Sequence, residues 1–585
     1  MADRFTVVVM LLMSTSALAL KKGELLDMSF GFDGNSLSYP GLGFFELTSQ
    51  YRGPLNAIPW VEYNNILSPE HVGTHMDAPI HVSEGKLHID EIPLSRFTCP
   101  AVRIDITEKT KLDRDYGMTV QDLQDWEEVH GKIPDDSLLF VYTGWGAFYP
   151  DRLAYQGTTR NDTFLDEQGE SLVHSPGVAP EAATWLLENR KISGIGLDAP
   201  SLDIGQDTEL MTHQILLGAN IYGVENVANL DKLPNTGAWV YAFPMKIVGG
   251  SGGSVRLVAQ LKADTSGAVM LSASFVTLLG LISVLFYLQT CIFSKMAHRF
   301  TGLVVWSMFT LVVALEKGEI LDMTFGYDDN SLAYPGNGFF QLTVRNRGPK
   351  GVFPWLEDNS FCTPEHIGTH IDAPAHFAEG KMRIHDIPLG RLIRPAVRVD
   401  ISEKVKVNGD YIMTVQDLQD WEEVHGKIPD DCLLFVYTGW GAFYPDRLTY
   451  FGTTRNDTFL NDQGESLIHS PGLDPETATW LLENRNIVGL GIDTANLDYG
   501  QNPRVTSHQI LLGANIYALE NVANLDKLPN TGAKVYALPM KIVDGSGAPV
   551  RIIAMLDGDS SSGAATLLAT FFVCGVFLVI SLIFK

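Results

Sequence analysis

The stretch His71-Val-Gly-Thr-His-Met-Asp-Ala-Pro-Ile-His81 places four groups, His71, His75, Asp77 and His81, within eleven residues. Imidazole and carboxylate are the ligands that borderline divalent metals take, and a cluster this dense reads as a metal site. The stretch returns 295 residues later as His366-Ile-Gly-Thr-His-Ile-Asp-Ala-Pro-Ala-His376, with His366, His370, Asp372 and His376 in the same places. The same spacing carries His213 to His508 and Glu225 to Glu520. Six chemical groups per copy, none lost between copies, point to a metal-dependent active site present twice. On a helix His71 and His75 would share a face, but Gly73 and Pro79 disfavour a helix. The segment therefore reads as extended strand and loop, with Pro79 stiffening the backbone and Gly73 letting the chain pass a metal without a Cβ.

At 585 residues the usual prior gives about four domains. The repeat overrides it. Matching sequence runs from Lys22 to about Lys262 and from Lys317 to about Asp557, so residues 21–264 and 316–558 read as two domains, each able to bury its own core. A formal charge of −27 and a pI near 4.9 argue against a nucleic-acid partner, which needs a basic surface. The five cysteines form no framework: Cys99, Cys362 and Cys432 face Arg394, Leu67 and Ser137 in the other copy, while Cys291 and Cys574 lie in apolar tails. Ligand or disulfide cysteines would recur in both copies, so these read as isolated thiols, with a Cys362–Cys432 bridge the one pairing left open.

The repeat extends beyond the domains. Residues 1–20 read as a secretory signal, with Arg4, an apolar run from Phe5 to Met13 and Ala17-Leu18-Ala19 as a cleavage site. Residues 296–315 repeat it, with Met296, Arg299, the run Leu303–Val313 and Val312-Val313-Ala314. An apolar tail follows each domain, Val269–Phe293 within 265–295 and Thr566–Phe584 within 559–585, each long enough to span a bilayer. The last follows a small-residue patch, Ser560 to Ala565, and suits either a GPI-attachment signal or a membrane helix. The middle reads either as a two-pass hairpin, with Lys295 and Arg299 on the inner side, or as two neighbouring genes read as one. Both readings put the domains in the secretory pathway, secreted or on the extracellular face of the plasma membrane and attached through the apolar tails. Asn161-Asp-Thr and Asn456-Asp-Thr are then glycosylation acceptors.

Within a domain, Ala101–Ile106 and Leu138–Tyr142 read as strands, and Thr119–His130 between them as a helix capped by Thr119 with Asp122 three residues on. Pro180–Arg190 reads as a second helix, proline in its first turn, and Gly194–Asp198 and Ile221–Glu225 as buried strands flanking a short helix that holds His213. Alternating strands and helices make the fold class α/β.

The H-x-G-T-H-x-D-x-P-x-H signature resembles that of the cyclase family of metal-dependent hydrolases, which includes bacterial kynurenine formamidases and isatin hydrolases. The likeness covers essentially both domains. It implies a swivelling β/β/α-like domain present twice in tandem. It also implies two divalent metal ions, Zn or Mn, per domain, with His71, His75, Asp77, His213 and Glu225 as metal ligands in the first copy. His366, His370, Asp372, His508 and Glu520 are their counterparts, and His81 and His376 become the catalytic acid/base. Two such ions lower the pKa of a shared water toward neutrality and polarise the substrate carbonyl, while a histidine of near-neutral pKa moves the proton to the departing amine.

The resemblance further places an aromatic substrate contact at Tyr39-Pro40-Gly41 and Tyr334-Pro335-Gly336, where bacterial formamidases carry tryptophan. Asp198 and Asp203 in LDAPSLD resemble a segment with a structural role; the second copy reads IDTANLD, with Asn496 at the place of Ser201. The implied activity is an arylformamidase that hydrolyses N-formyl-L-kynurenine or a related aryl formamide by a metal-bound hydroxide. Its partners are that small molecule and either a homodimer mate or the other repeat as an intramolecular pseudo-dimer. A ring-opening lactam or lactone hydrolase and a non-catalytic surface binding module are the rival readings. A serine hydrolase is rejected: Gly249-Gly250-Ser251-Gly252-Gly253 fits the nucleophile-elbow pattern, but it lacks the strand-to-helix context and an HGGG segment.

Overall fold

The apolar runs pair into one closed sheet per repeat. The computed structural model describes residues 23–55, 58–261 and 319–556, so the signal-like and apolar segments at 1–20, 265–315 and 559–585 lie outside the described residues. Among the described residues no helix is long and apolar enough to cross a membrane.

The first repeat contains strands β1 (Leu25–Asp27), β2 (Glu46–Leu55), β3 (Ile58–Pro69), β4 (His75–Asp77) and β5 (Thr98–Asp105), then helix α1 (Val120–His130). It continues with β6 (Leu138–Tyr142), α2 (Pro180–Asn189), β7 (Gly194–Leu197), α3 (Met211–Gly218), β8 (Tyr222–Glu225), β9 (Ala238–Pro244) and β10 (Gly252–Leu261). The second repeat follows the same order: β11 (Ile320–Asp322), β12 (Gln341–Lys350), β13 (Phe353–Pro364), β14 (His370–Asp372) and β15 (Ile393–Asp400), then α4 (Val415–His425). After these come β16 (Leu433–Tyr437), α5 (Pro475–Asn484), β17 (Gly489–Ile492), α6 (Thr506–Gly513), β18 (Tyr517–Glu520), β19 (Ala533–Pro539) and β20 (Gly547–Leu556).

Strands β5, β6, β7 and β8 run parallel, as buried βα crossovers require, and β6 reads Leu-Leu-Phe-Val-Tyr because both of its faces are covered. The antiparallel strands β4, β10 and β9 join β8 back to β5 and close a seven-stranded barrel; the second repeat closes in the same order. The expected α/β domain is present twice, and the helices sit where their caps place them. Thr119 and Asp122 form a reciprocal capping box at α1, and Pro180 opens α2.

The two repeats share more than a linker. The β2–β3 hairpin of the first and the β12–β13 hairpin of the second join through antiparallel pairing of β3 with β13, giving one four-stranded sheet, with Pro364 opposite Asn65 and Cys362 opposite Leu67. A single apolar core runs from one barrel to the other, with the Tyr241 and Tyr536 rings 4.5 Å apart. Two ion pairs cross over at its margin, Lys541 to Asp27 at 2.7 Å and Lys246 to Asp322 at 2.8 Å.

Two expectations need correcting. The chain after Asp77 is not a plain loop: Pro79–His81, like Pro374–His376, makes one 3-10 turn, started by the fixed φ of the proline. Cys362 and Cys432 do not bridge; both are free thiols, the first exposed on β13 and the second buried.

Candidate active site

The site is assembled by strand register. Strand β4 lies between β8 and β10, which puts His75 opposite both Glu225 and Ser254, and Asp77 opposite Gly223 and Gly252. The glycines are spatial requirements. A Cβ at Gly252 would stand 2.5 Å from the His71 ring, and one at Gly223 would stand 2.9 Å from Asp77 Oδ2.

All six expected groups come together and all are buried. His71 Nδ1 is 2.7 Å from Asp77 Oδ1, and His75 Nε2 is 3.2 Å from the same oxygen and 3.5 Å from Glu225 Oε2. His213 Nε2 is 3.1 Å from Glu225 Oε1, and the His81 ring stacks on His71 at 3.9 Å. The second copy reproduces the set: His366 to Asp372 at 2.7 Å, His370 to Asp372 at 3.2 Å, His508 to Glu520 at 2.9 Å, and His376 stacked on His366 at 3.8 Å.

The donors form two groups that share one carboxylate, His71–Asp77–His81 and His75–Asp77–Glu225, each with its ligand atoms within 4.8 Å of one another. Asp77 Oδ2 is buried without a hydrogen-bond partner, and His213 Nε2 is 3.6 Å away, beyond hydrogen-bond length. A buried anionic oxygen left so is costly unless a cation meets it, and an all-imidazole-and-carboxylate set is what a divalent ion such as Zn or Mn takes. The residues therefore fit a metal. His81 stands within ligand reach of the first group as well as on the cavity wall.

Electrostatics follow from this crowding. Burial lowers the His75 pKa, but Asp77 and Glu225 outweigh it and carry the imidazole up to about 9. Burial likewise opposes ionisation of Asp77, yet the surrounding histidines hold its carboxyl well below the usual range. Glu225 goes up, through burial and the adjacent Asp77 charge. His81 is pushed well below an ordinary histidine by burial and by neighbouring His71, so its ring is neutral at physiological pH.

Several residues that support the site were not expected there from sequence, Ser251 among them, which was weighed only as a nucleophile and rejected. Ser251 Oγ donates to buried Glu70 and lies 3.1 Å from His71 Nε2, while Asn359 of the other repeat donates to Glu70 at 2.9 Å. Ser546, Glu365 and Asn64 repeat this arrangement around His366. Their signal was available, since Glu70 and Glu365 immediately precede the two motifs. Ser251–His71–Asp77 has the connectivity of a catalytic triad, but Ser251 is fully buried, does not line the cavity and gives its proton to Glu70. Asp203 and Asp498, expected to be structural, act on the site directly: each carboxylate holds Nδ1 of its histidine, His213 or His508, turning Nε2 toward Glu225 or Glu520. Asp198 accepts from Thr143 and Gly146 and is structural.

Each site is finished by the other repeat. His81 Nδ1 lies 2.6 Å from the carbonyl oxygen of Glu357, and His376 Nδ1 lies 2.5 Å from that of Glu62. Trp355 Nε1 donates to Ile80 O at 3.0 Å and Trp60 Nε1 to Ala375 O at 3.1 Å, pinning the two histidine turns. A cavity of about 270 Å³ opens over each cluster. Tyr39 lines the first beside Phe164, ring centroids 5.5 Å apart, and Tyr334 lines the second beside Phe459 at 5.3 Å. Lys350, Phe353 and Leu356 roof the first cavity from the second repeat, and Leu55, Ile58, Val61 and Tyr63 roof the second from the first.

Known proteins share this arrangement of sequence. The Cyclase family model matches residues 26–204 and 306–499, together more than half of the chain. Isatin hydrolase of Roseibium aggregatum is 33% identical over 211 residues, covering 35% of this chain and 76% of that protein. Kynurenine formamidase of Geobacillus thermodenitrificans is 26% identical over 232 residues, covering 40% of this chain and 94% of that protein. The solved structure of isatin hydrolase A from Labrenzia aggregata, bound to benzyl benzoate, is 30% identical with a TM-score of 0.37, covering 43% of this chain and 99% of that one. With the signature complete in each half and each half matched by the same family model, the chain belongs to the cyclase family of metal-dependent hydrolases, in two tandem copies.

Proposed function

We propose that each repeat hydrolyses the C–N bond of an aryl amide, first of all an aryl formamide such as N-formyl-L-kynurenine, to formate and an aryl amine. The observation that carries this reading is a buried His81 whose Nδ1 is tied to a carbonyl, set beside the shared carboxylate and opening on an aromatic-walled cavity. Two divalent ions per repeat, Zn or Mn, held by His71, His75, Asp77, His213 and Glu225 or their counterparts, would supply the Lewis acidity that activates water and polarises the amide carbonyl.

The chain's own groups do the rest. Because a carbonyl oxygen only accepts, Nδ1 of His81 carries the hydrogen and Nε2 is the free base. Nε2 takes a proton from the attacking water and returns it to the nitrogen that leaves. The Glu357 carbonyl keeps the ring in place and eases its transient positive charge. Tyr39 and Phe164 flank the aryl ring, and burial of the cluster excludes competing water.

Ring opening of a cyclic aryl amide is the second reading, favoured by the isatin hydrolase that is 33% identical to this chain over 211 residues. A non-catalytic surface module is disfavoured because both copies keep every group of the set. The test is the full chain loaded with zinc or manganese and offered an aryl formamide panel and isatin. Formate release with chelator sensitivity supports the first reading, and ring opening alone supports the second. Turnover of either substrate that survives complete metal removal would overturn both. We further propose that the domains reach the secretory pathway and are membrane-attached, on the strength of the duplicated signal-like segments. Immunoblotting of membrane fractions, with and without a GPI-specific lipase, tests this.

A further inference from the structure

The two cavities share their imidazole and carboxylate cluster, their tyrosine and their phenylalanine, and differ in what the opposite hairpin hangs over them and at several positions of their own walls. Lys350 occupies the place in the first cavity that Leu55 occupies in the second. Among the described residues lining the second cavity there is no lysine or arginine. Instead Tyr63 stands where the first cavity's hairpin has Asp358, Asn337 replaces Leu42, and Asn496 replaces Ser201. Phe377, at the place of Val82, lies with its ring 4.1 Å from His376 and 5.0 Å from His508, narrowing that wall.

We propose that the two sites divide substrates by charge. The first takes aryl amides that carry a carboxylate or similar anionic group, held by Lys350, and the second takes uncharged ones. The proposal rests on the aryl-amide reading above and names the substrate class of each site.

The ammonium is available for this. Lys350 is 51% exposed, and its partner Asp358 is 3.8 Å away, already accepting from Asn346. An anionic ligand can displace so loose a pairing. The rim carboxylates would not repel the ligand differently at the two sites, because both are matched: Arg160 holds Asp162 at 2.7 Å and Arg455 holds Asp457 at 2.7 Å. The metal cluster contributes equally to both cavities and cancels from the comparison. What remains is Lys350, loosely paired with Asp358, against Leu55 and Tyr63, and the half-exposed position of the lysine makes the effect fall with added salt. In the second cavity two asparagine amides can meet a neutral polar group, while an anion would lose water there without gaining a cation.

The experiment uses full-length, metal-loaded chains in which one site is silenced, His376→Ala to leave the first and His81→Ala to leave the second. Each is assayed on 4-formamidobenzoate and on its uncharged twin 4-formamidobenzamide. The first site is expected to favour the carboxylate by about tenfold in kcat/KM, chiefly through KM, relative to the second. Lys350→Leu should abolish that preference, Lys350→Arg should retain it, and Leu55→Lys should confer it on the second site. Equal ratios at the two sites, or a ratio unmoved by Lys350→Leu, would overturn the proposal. If neither compound turns over, the aryl formamide reading is what has failed. Calorimetric binding of the two product amines then decides the charge question, and identical affinities in the wild-type chain and Lys350→Leu would overturn it.

Discussion

Nδ1 of His81 lies 2.6 Å from the main-chain oxygen of Glu357, a residue 276 positions away in the other repeat. The group expected to move protons in the first site is thus aimed by the backbone of the second, and His376 is aimed by Glu62 in return. The repeats are therefore catalytic neighbours as well as copies, and the following outcomes depend on that.

Roles within the cluster separate by substitution. His75→Ala removes a donor from the group built on Asp77 and Glu225, so metal and activity should be lost together. His81→Ala should lower turnover by roughly 10²–10⁴, the range for an acid/base group, with metal retained. Metal analysis beside steady-state kinetics checks both. An emptied site in His81→Ala would make His81 a ligand.

The tryptophan pins should be local in effect. Trp355→Phe removes the bond to Ile80 O and loosens the turn that carries His81. In a chain whose second site is silenced, kcat should fall by about fivefold, the worth of one hydrogen bond of about 1 kcal/mol. In a chain whose first site is silenced it should not change. A loss shared equally by both would show a global defect.

A single repeat, 21–264 or 316–558, lacks the roof, the tryptophan and the carbonyl that its site uses. Although each repeat closes its own barrel, a lone repeat is expected to be active only when two copies pair through their hairpins. Specific activity should then rise with protein concentration in step with dimer measured by sedimentation. A fully active monomer would sink this expectation.

Asn359→Leu removes the cross-repeat donor to Glu70, a buried carboxylate whose pKa is already raised by burial. The cost expected is about 1–3 kcal/mol, or a fall of several degrees in Tm, read by calorimetry. A Tm unchanged from the parent chain would mean that Ser251 alone satisfies Glu70.

Acid should loosen the join between repeats. Burial works to raise the Asp27 pKa, but Arg256 and Lys541 outweigh it, so the folded value lies below the ordinary 3.8. The unfolded chain therefore takes up the proton first. The stabilisation is complete above the unfolded value and drains away as pH falls through the folded one. Asp27→Asn should flatten the acid limb of the unfolding profile near that pH and weaken the fold at neutral pH. A profile identical to the parent's would exclude the pair as a contributor.

Much of this was written in short-range pattern. Thr119 with Asp122, and proline at 180, mark helix starts because capping is a matter of a few residues, and both helices begin there. The clustering of the six groups was equally legible, since imidazoles and carboxylates dense enough to bind a metal, and doubled at one offset, have little other reason to recur. Tertiary structure decided the closure of seven strands into a barrel, the pairing of β3 with β13, the tie between His81 and Glu357, and the placing of Lys350 over a cavity of the other repeat. A strand edge presents the same N–H and C=O groups to any partner, so local sequence carries no address for a strand hundreds of residues away. Read alone, Lys350 is an ordinary charged residue near a hairpin tip; packing two barrels against one shared sheet is what brings it to the wall of a cavity in the other repeat.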